Sequence, residues 1–280
     1  MSYNGRMIDA DDKLRALEAF LQDAGRVAVA FSGGVDSTFL LAFAARTSGV
    51  QATALTAASS LMLDADLSFA EAFCARRSIP HQVIQVDPLS SEDVRANGPE
   101  RCYHCKRLIM EALTREARVA AAVLCDGSNA DDAQDYRPGA RAIQELGVRS
   151  PLAEAGLTKQ EIRAAARALG LPNADAPASA CLASRIPYGT PLTPHDLARV
   201  AQAEAALREQ GFTQVRVRAH GNLARIEALP EEARSFADAS VRARISRALH
   251  DAGFAYVALD LDGYRMGSLN EEIPEATDGT

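Results

Sequence analysis

The sequence predicts an α/β protein: a doubly wound, mostly parallel sheet followed by a small C-terminal α+β domain. Three observations predict it. Short apolar runs alternate with segments of helical periodicity from Asp11 to Leu169. One run, Val27-Ala28-Val29-Ala30-Phe31, breaks into the turn Ser32-Gly33-Gly34 and passes through Val35-Asp36-Ser37 into an apolar helical stretch, Thr38 to Ala45. Beyond residue 185 the order changes to helix, two alternating strands, helix and closing strand.

Taken in order, Asp11 to Ala24 is an amphipathic helix with Leu14, Leu17, Phe20 and Leu21 on one face. Gln51 to Ala57 is the next strand, with Thr56, Ser59 and Ser60 at its polar end. Asp64 to Arg77 is a helix whose apolar side carries Leu67, Ala70, Phe73 and Cys74, and His81 to Val86 is a third strand. Asn97 to Lys106 is a turn entering a helix that runs to about Glu116. Val119 to Leu124 is a buried strand emptying into Cys125-Asp126-Gly127-Ser128-Asn129-Ala130-Asp131-Asp132. Thr158 to Leu169 is a helix capped by Thr158 and Glu161 and ended by Gly170. A loop with prolines at 187, 191 and 194 marks the expected boundary between a domain of residues 1–185 and one of residues 186–280. In the second, Thr193 to Gln210 is a helix. Thr213 to Ala219 pairs with Asn222 to Leu229 across His220-Gly221, Glu231 to about Asp251 is helical, and Tyr256 to Leu261 closes as a strand.

A chain of 280 residues with 48% hydrophobic and 24% charged residues has the composition of an ordinary globular protein. No apolar run approaches the ~18 residues of a membrane span. The opening Met-Ser-Tyr-Asn-Gly-Arg has no apolar signal region, so a cytoplasmic protein is expected. The net charge of −7 argues against nucleic acid as a partner, because phosphate contacts need a basic face, and points to a small-molecule substrate.

The chemistry concentrates in three places. At the Ser-Gly-Gly turn, unpaired helix N–H groups meet an anion, Gly33 and Gly34 permit close backbone approach, and Ser32 and Ser37 add hydroxyls. Asp36 offers oxygen to Mg²⁺, directly or through water. Asn129, Asp131 and Asp132 form a second polar cluster at a strand's carboxyl end, where Ser, Asn and Asp also serve as turn and cap residues. The cysteines divide by setting. Cys74 and Cys125 look like small core hydrophobes. Cys102, Cys105 and Cys181 lie in polar loops or at a helix entry, beside Arg101, Lys106 and Arg185. Cys102-x-x-Cys105 is open to reading as a redox pair, half a zinc site or half a cluster site. No second C-x-x-C or spaced His pair completes a zinc site, and three exposed thiols suit a [4Fe–4S] cluster with one open iron.

The string Ser32 to Ser37 directly after a buried strand resembles the pyrophosphate (PP-) loop of the N-type ATP pyrophosphatases, whose fold is of the adenine nucleotide α-hydrolase kind. Over nearly its whole length the chain also resembles the LarE family of ATP-dependent sacrificial sulfur transferases, which serve nickel-pincer nucleotide biosynthesis. That resemblance rests on the PP-loop, on Arg101 to Lys106, on Asp126 to Asp132 and on Asp135 to Gly139. It continues through Ala180 to Gly189 and Asp260 to Arg265. It implies ATP and Mg²⁺ as cofactors, with Ser32, Gly33, Gly34, Asp36, Ser37, Asn129, Asp131 and Asp132 at the nucleotide. It also implies adenylation of a carboxylate of a pyridinium dicarboxylate mononucleotide, followed by conversion to a thiocarboxylate. The sulfur-delivering cysteine maps onto Cys181, and substrate-phosphate contacts map onto Ser184, Arg185, Arg216 and Arg218. Family members with a C-x-x-C hold a [4Fe–4S] cluster through three cysteines, here Cys102, Cys105 and Cys181, whereas those without it sacrifice the sulfur of one cysteine. The resemblance further implies a homo-oligomer, in the form of a hexamer. A tRNA thiolase and an ammonia-dependent synthetase share the PP-loop. The first would need a basic or aromatic RNA surface, and the second would need no C-x-x-C.

Overall fold

The computed structural model describes residues 10–134, 138–177 and 180–265. Its elements, in chain order, are α1 (Ala10–Ala24), β1 (Arg26–Ala30), α2 (Val35–Arg46), β2 (Gln51–Ala58), α3 (Asp64–Arg77) and β3 (His81–Gln85). Next come α4 (Glu92–Arg95), α5 (Arg101–Val119), β4 (Val123–Cys125), α6 (Pro138–Glu145), α7 (Pro151–Glu154) and α8 (Lys159–Ala168). The chain continues with α9 (Pro194–Glu209), β5 (Val215–His220), β6 (Leu223–Ala228), α10 (Pro230–Ala233), α11 (Ala239–Asp251) and β7 (Tyr256–Leu259). By contact density the described chain divides into two compact units. The first comprises residues through 59, 64–86 and 102 onward to 177; the second comprises 60–63, 87–101 and 180–265.

The first unit is built on a four-stranded, all-parallel sheet in the order β3-β2-β1-β4. The strand β1 shows why both faces must be covered. Val27 and Val29 point into one cluster with Leu17, Leu21, Phe39, Leu40, Phe73 and Ile162 from α1, α2, α3 and α8. Ala28 points to the other face, into a cluster with Leu55, Met110, Leu113, Leu124 and Ile143, where α5 and α6 pack. Period-two alternation thus feeds two helical layers, the doubly wound arrangement expected. Each fully buried Leu or Phe contributes about 1.5–3 kcal/mol.

The second unit carries a three-stranded sheet in the order β5-β6-β7, with β5–β6 antiparallel and β6–β7 parallel. The hairpin turn at Gly221 takes φ +61°, which glycine allows. α9 packs on β5, and α11 packs on α9 and β7.

Two elements differ from expectation. α5 runs on to Val119, which stands exposed, and Ala121 closes the turn at φ +50°, so β4 begins only at Val123. The single helix expected over Glu231–Asp251 is interrupted. Asp238 leaves helical geometry and caps α11 by accepting from the Ser240 and Val241 amides. Residues 135–137 of the segment Asp135 to Gly139 lie outside the described residues.

Candidate nucleotide site and candidate sulfur-transfer turn

β1 lies between β2 and β4, and the chain's winding reverses between β1 and β4. Open sheets of this kind take ligands outside the carboxyl ends of their strands at such a reversal. Ser32-Gly33-Gly34 leaves β1 at this point. Gly33 takes φ +80°, and a Cβ there would come within 3.2 Å of the Asp66 carbonyl oxygen and the Phe69 ring. Gly34 caps α2 without any side-chain hydrogen bond, so no cap side chain takes up the first-turn N–H groups. Ser37 Oγ donates to the Gly34 carbonyl at 3.1 Å and lies 3.3 Å from Ser32 Oγ. The turn after β4 presses against this loop from the side: a Cβ on Gly127 would stand 2.9 Å from the Ser37 amide nitrogen.

Asp36 is ion-paired to Lys159, the first residue of α8, through Oδ2. Its Oδ1 is buried and has no hydrogen-bond partner among the described residues. Burial pushes the Asp36 carboxyl above the usual aspartate range, with the charge of Asp132 adding to that; Lys159 and Asn129 act in the opposite direction. Lys159 also donates its backbone N–H to Asp131 Oδ2 at 2.9 Å, so one residue ties a carboxylate of α2 to one of the turn after β4. The β4 turn is closed internally. The Asp131 amide donates to Asn129 Oδ1 at 3.0 Å, and the Asn129 amide donates to Asp132 Oδ2 at 3.0 Å. Asn173 clamps the glycine turn from the far end of α8's loop, donating from Nδ2 to the Gly33 carbonyl (2.8 Å) and to Thr38 Oγ1 (2.9 Å).

Cys102 and Cys105 stand one helical turn apart at the start of α5, both half-buried. Gly139 at the entry of α6 packs there, where a Cβ would meet Lys106 Cβ at 3.4 Å and the Cys102 carbonyl at 3.5 Å.

In the second unit Cys181 is exposed at the head of a 3₁₀ turn, Leu182–Arg185. Its carbonyl accepts from the Ser184 amide (3.0 Å), from Ser184 Oγ (2.7 Å) and from Arg185 Nη1 (2.9 Å). Arg185 has no accessible surface. Its Nε and Nη2 grip both oxygens of the equally buried Glu204 at 2.8 and 3.0 Å, and Nη1 also donates to the Ala180 carbonyl. Arg218 repeats the fork on Glu227 (2.9 and 2.8 Å), and its Nη1 donates to the Ser184 carbonyl. Arg216 is buried, lies over the Tyr264 ring and donates to the Val215 carbonyl at 2.9 Å. Burial and the neighbouring Arg185 lower its pKa below the ordinary arginine value. Glu204 is held below the usual glutamate range: burial opposes this, and Arg185, Arg216 and Arg208 outweigh it. Around the turn, three guanidinium groups that are at most 7% exposed thus meet two carboxylates buried as deeply.

Among the described residues no three His, Cys, Asp or Glu side chains are gathered as for a metal ion, and no helix is long and apolar enough to cross a membrane.

The chain is similar to known proteins over most of its length. The asparagine synthase family model matches residues 14–126. Pyridinium-3,5-bisthiocarboxylic acid mononucleotide synthase of Lactiplantibacillus plantarum is 41% identical over 266 residues, covering 94% of this chain and 96% of that protein. The chain belongs to that synthase family, LarE. An uncharacterized protein of Synechocystis is also 41% identical, over 94% of this chain and 98% of its own length. The solved NMN synthetase of Francisella tularensis superposes with a TM-score of 0.49 at 21% identity, covering 61% of this chain and 76% of that one.

Two residues of this LarE chain's candidate nucleotide site carry no mark in the sequence. Lys159 sits inside the Thr158–Glu161 capping box, a pattern that accounts for the helix start and draws no attention to the lysine within it. Asn173 lies in an ordinary loop, and nothing in its sequence setting marks it.

Proposed function

We propose that this protein is an ATP-dependent sulfur transferase that adenylates a carboxylate of pyridinium-3,5-biscarboxylate mononucleotide and converts it to a thiocarboxylate. The observation that carries the reading is the end-to-end relationship to a synthase named for the bisthiocarboxylic acid product. In this reading the PP-loop residues Ser32, Gly33, Gly34 and Ser37 hold the pyrophosphate, with Asn129, Asp131 and Asp132 beside the nucleotide and Lys159 facing its charge.

Asp36 fits Mg²⁺: it brings a buried carboxylate oxygen without a partner, and magnesium takes one or two carboxylates with phosphates and water. When bound, the ion offsets charge on the departing pyrophosphate. The carboxylate oxygen of the substrate displaces pyrophosphate from the α-phosphorus and forms the acyl adenylate. Sulfide delivered beside Cys181 then forms a C–S bond at the acyl carbon, and the C–O bond to AMP breaks with its electron pair leaving on AMP, so the thiocarboxylate forms with sulfur at the sulfide level and no oxidant is needed. Ser184, Arg216 and Arg218 are proposed for the substrate's phosphate; guanidinium and hydroxyl groups beside the Cys181 turn are the donors a phosphate takes.

We further propose that Cys102, Cys105 and Cys181 hold a [4Fe–4S] cluster. Thiolates are the donors such clusters take, two of these thiols share one helical turn, and the third is exposed. When bound, the cluster would supply an iron with an open position for sulfide. By family resemblance we propose a cytoplasmic homo-oligomer, a hexamer.

Anaerobic purification with iron and sulfide analysis, then incubation with ATP, Mg²⁺ and the mononucleotide, tests these readings. The expected result is substrate-dependent release of pyrophosphate and AMP with thiocarboxylate formed. Cys181→Ala should keep pyrophosphate release and lose the thiocarboxylate. Pyrophosphate release that does not depend on the mononucleotide would refute the substrate. An iron-free protein that loses one sulfur's mass on turnover would refute the cluster.

A further inference from the structure

We infer that Arg185 is a positioning residue for Cys181 and not a contact for the substrate's phosphate. The inference rests on the sulfur-transfer reading above. All three guanidinium nitrogens already donate: Nε and Nη2 to Glu204, and Nη1 to the Ala180 carbonyl, the Cys181 carbonyl and Ser184 Oγ. With no accessible surface on either Arg185 or Glu204, an incoming phosphate would have to displace a desolvated bidentate carboxylate. Glu204 is itself held in place, since it also accepts from the Val217 amide at 3.1 Å and from Arg208 at 2.7 Å. The fork is thereby anchored to both α9 and β5.

What Nη1 grips explains the use of such an anchor. The Ala180 and Cys181 carbonyls belong to the two peptide planes that flank the Cys181 Cα. Fixing both planes fixes φ (−62°) and ψ (153°) of Cys181, and with them the direction of its Cα–Cβ bond. The thiol itself takes no part in the anchor, so Cys181 is aimed by its backbone while its sulfur stays exposed. Lysine cannot replace this, because a single ammonium cannot span a carboxylate fork and two carbonyls at once.

The test uses the full-length protein with Arg185→Lys, and with Glu204→Gln as a second variant that removes the fork's charge while nearly keeping its volume. Three readouts are taken: KM for the mononucleotide in pyrophosphate release, the single-turnover rate of thiocarboxylate formation, and hydrogen exchange at the Leu182, Ser184 and Ile186 amides. These amides bond to the Leu61, Cys181 and Ala183 carbonyls. A positioning role predicts a KM within about twofold of wild type and sulfur transfer slowed by up to about a hundredfold. It also predicts exchange at the three amides faster by about tenfold. The inference is overturned if exchange is unchanged, or if KM rises about tenfold for the mononucleotide and not for its dephosphorylated nucleoside. Amide exchange needs no substrate. If the wild-type protein releases no pyrophosphate, the proposed function fails, while the exchange comparison still decides whether Arg185 holds the turn.

Discussion

Gly127→Ala isolates how tightly the β4 turn braces the PP-loop. Gly127 does not take a positive φ, so an alanine there meets no dihedral penalty; the cost comes from contact alone. Its Cβ would stand 2.9 Å from the Ser37 amide nitrogen, 3.1 Å from Ser37 Cα and 3.3 Å from the Asp36 carbonyl carbon. All three are backbone atoms of the first turn of α2 and none can rotate aside. Restoring an ordinary contact moves that turn or the β4 turn by roughly half an ångström, and overpacking of this kind costs about 1–3 kcal/mol. The first turn of α2 also carries the N–H groups proposed to hold the phosphates, so the displacement should raise KM for ATP or lower kcat by about tenfold, equivalent to about 1.4 kcal/mol. Thermal unfolding should fall by several degrees, at about 2–4 °C per kcal/mol for a chain approaching this size. The control is Gly98→Ala, where an added Cβ meets nothing within 4 Å and φ is not positive, and both measurements should stay at wild type. Pyrophosphate release against ATP concentration and a melting curve for each variant decide the matter. A Gly127→Ala protein with wild-type ATP kinetics and wild-type melting would refute the idea that the two turns brace each other.

Lys159→Met should act through Asp36. Lys159 holds the Asp36 carboxyl down against burial, so its loss raises that pKa further, and the acid limb of Mg²⁺-dependent pyrophosphate release should move to higher pH. An acid limb that stays put in the pH–rate profile would show that Asp36 is not the group titrating. Glu227→Ala removes the buried carboxylate that Arg218 forks and one partner of Arg225; denaturant unfolding should show a loss of about 3–5 kcal/mol. Near wild-type stability would mean that water or a shifted side chain takes up the charge.

The sheet of the first unit was legible because its physics is local. Val27 and Val29 must face one layer and Ala28 the other, and Thr158 with Glu161 announces a helix start without help from the rest of the chain. The PP-loop was legible for the same reason, since strand, glycine turn and helix are contiguous. The second unit resisted. In β5 the alternation of Val215 and Val217 with Arg216 and Arg218 reads as one apolar and one solvated face, yet all four are buried, because Glu204 and Glu227 come from α9 and β6 to meet the cations. Partners 9 to 19 residues away in sequence leave no mark on a periodicity. Lys159 was hidden likewise: its partner Asp36 lies 123 residues earlier.

Asn97 carries a consequence for the order in which the chain is made. It is buried at φ +55°, and its side-chain amide donates to the Pro187 and Thr190 carbonyls at 2.8 and 2.9 Å. Those acceptors leave the ribosome about 90 residues later, at roughly 5–20 residues per second. Asn173 stands in the same relation to Gly33, with 140 residues between them. Each unit therefore waits for a late stretch of the chain to close an early one, and a polypeptide halted before residue 170 would have neither clamp.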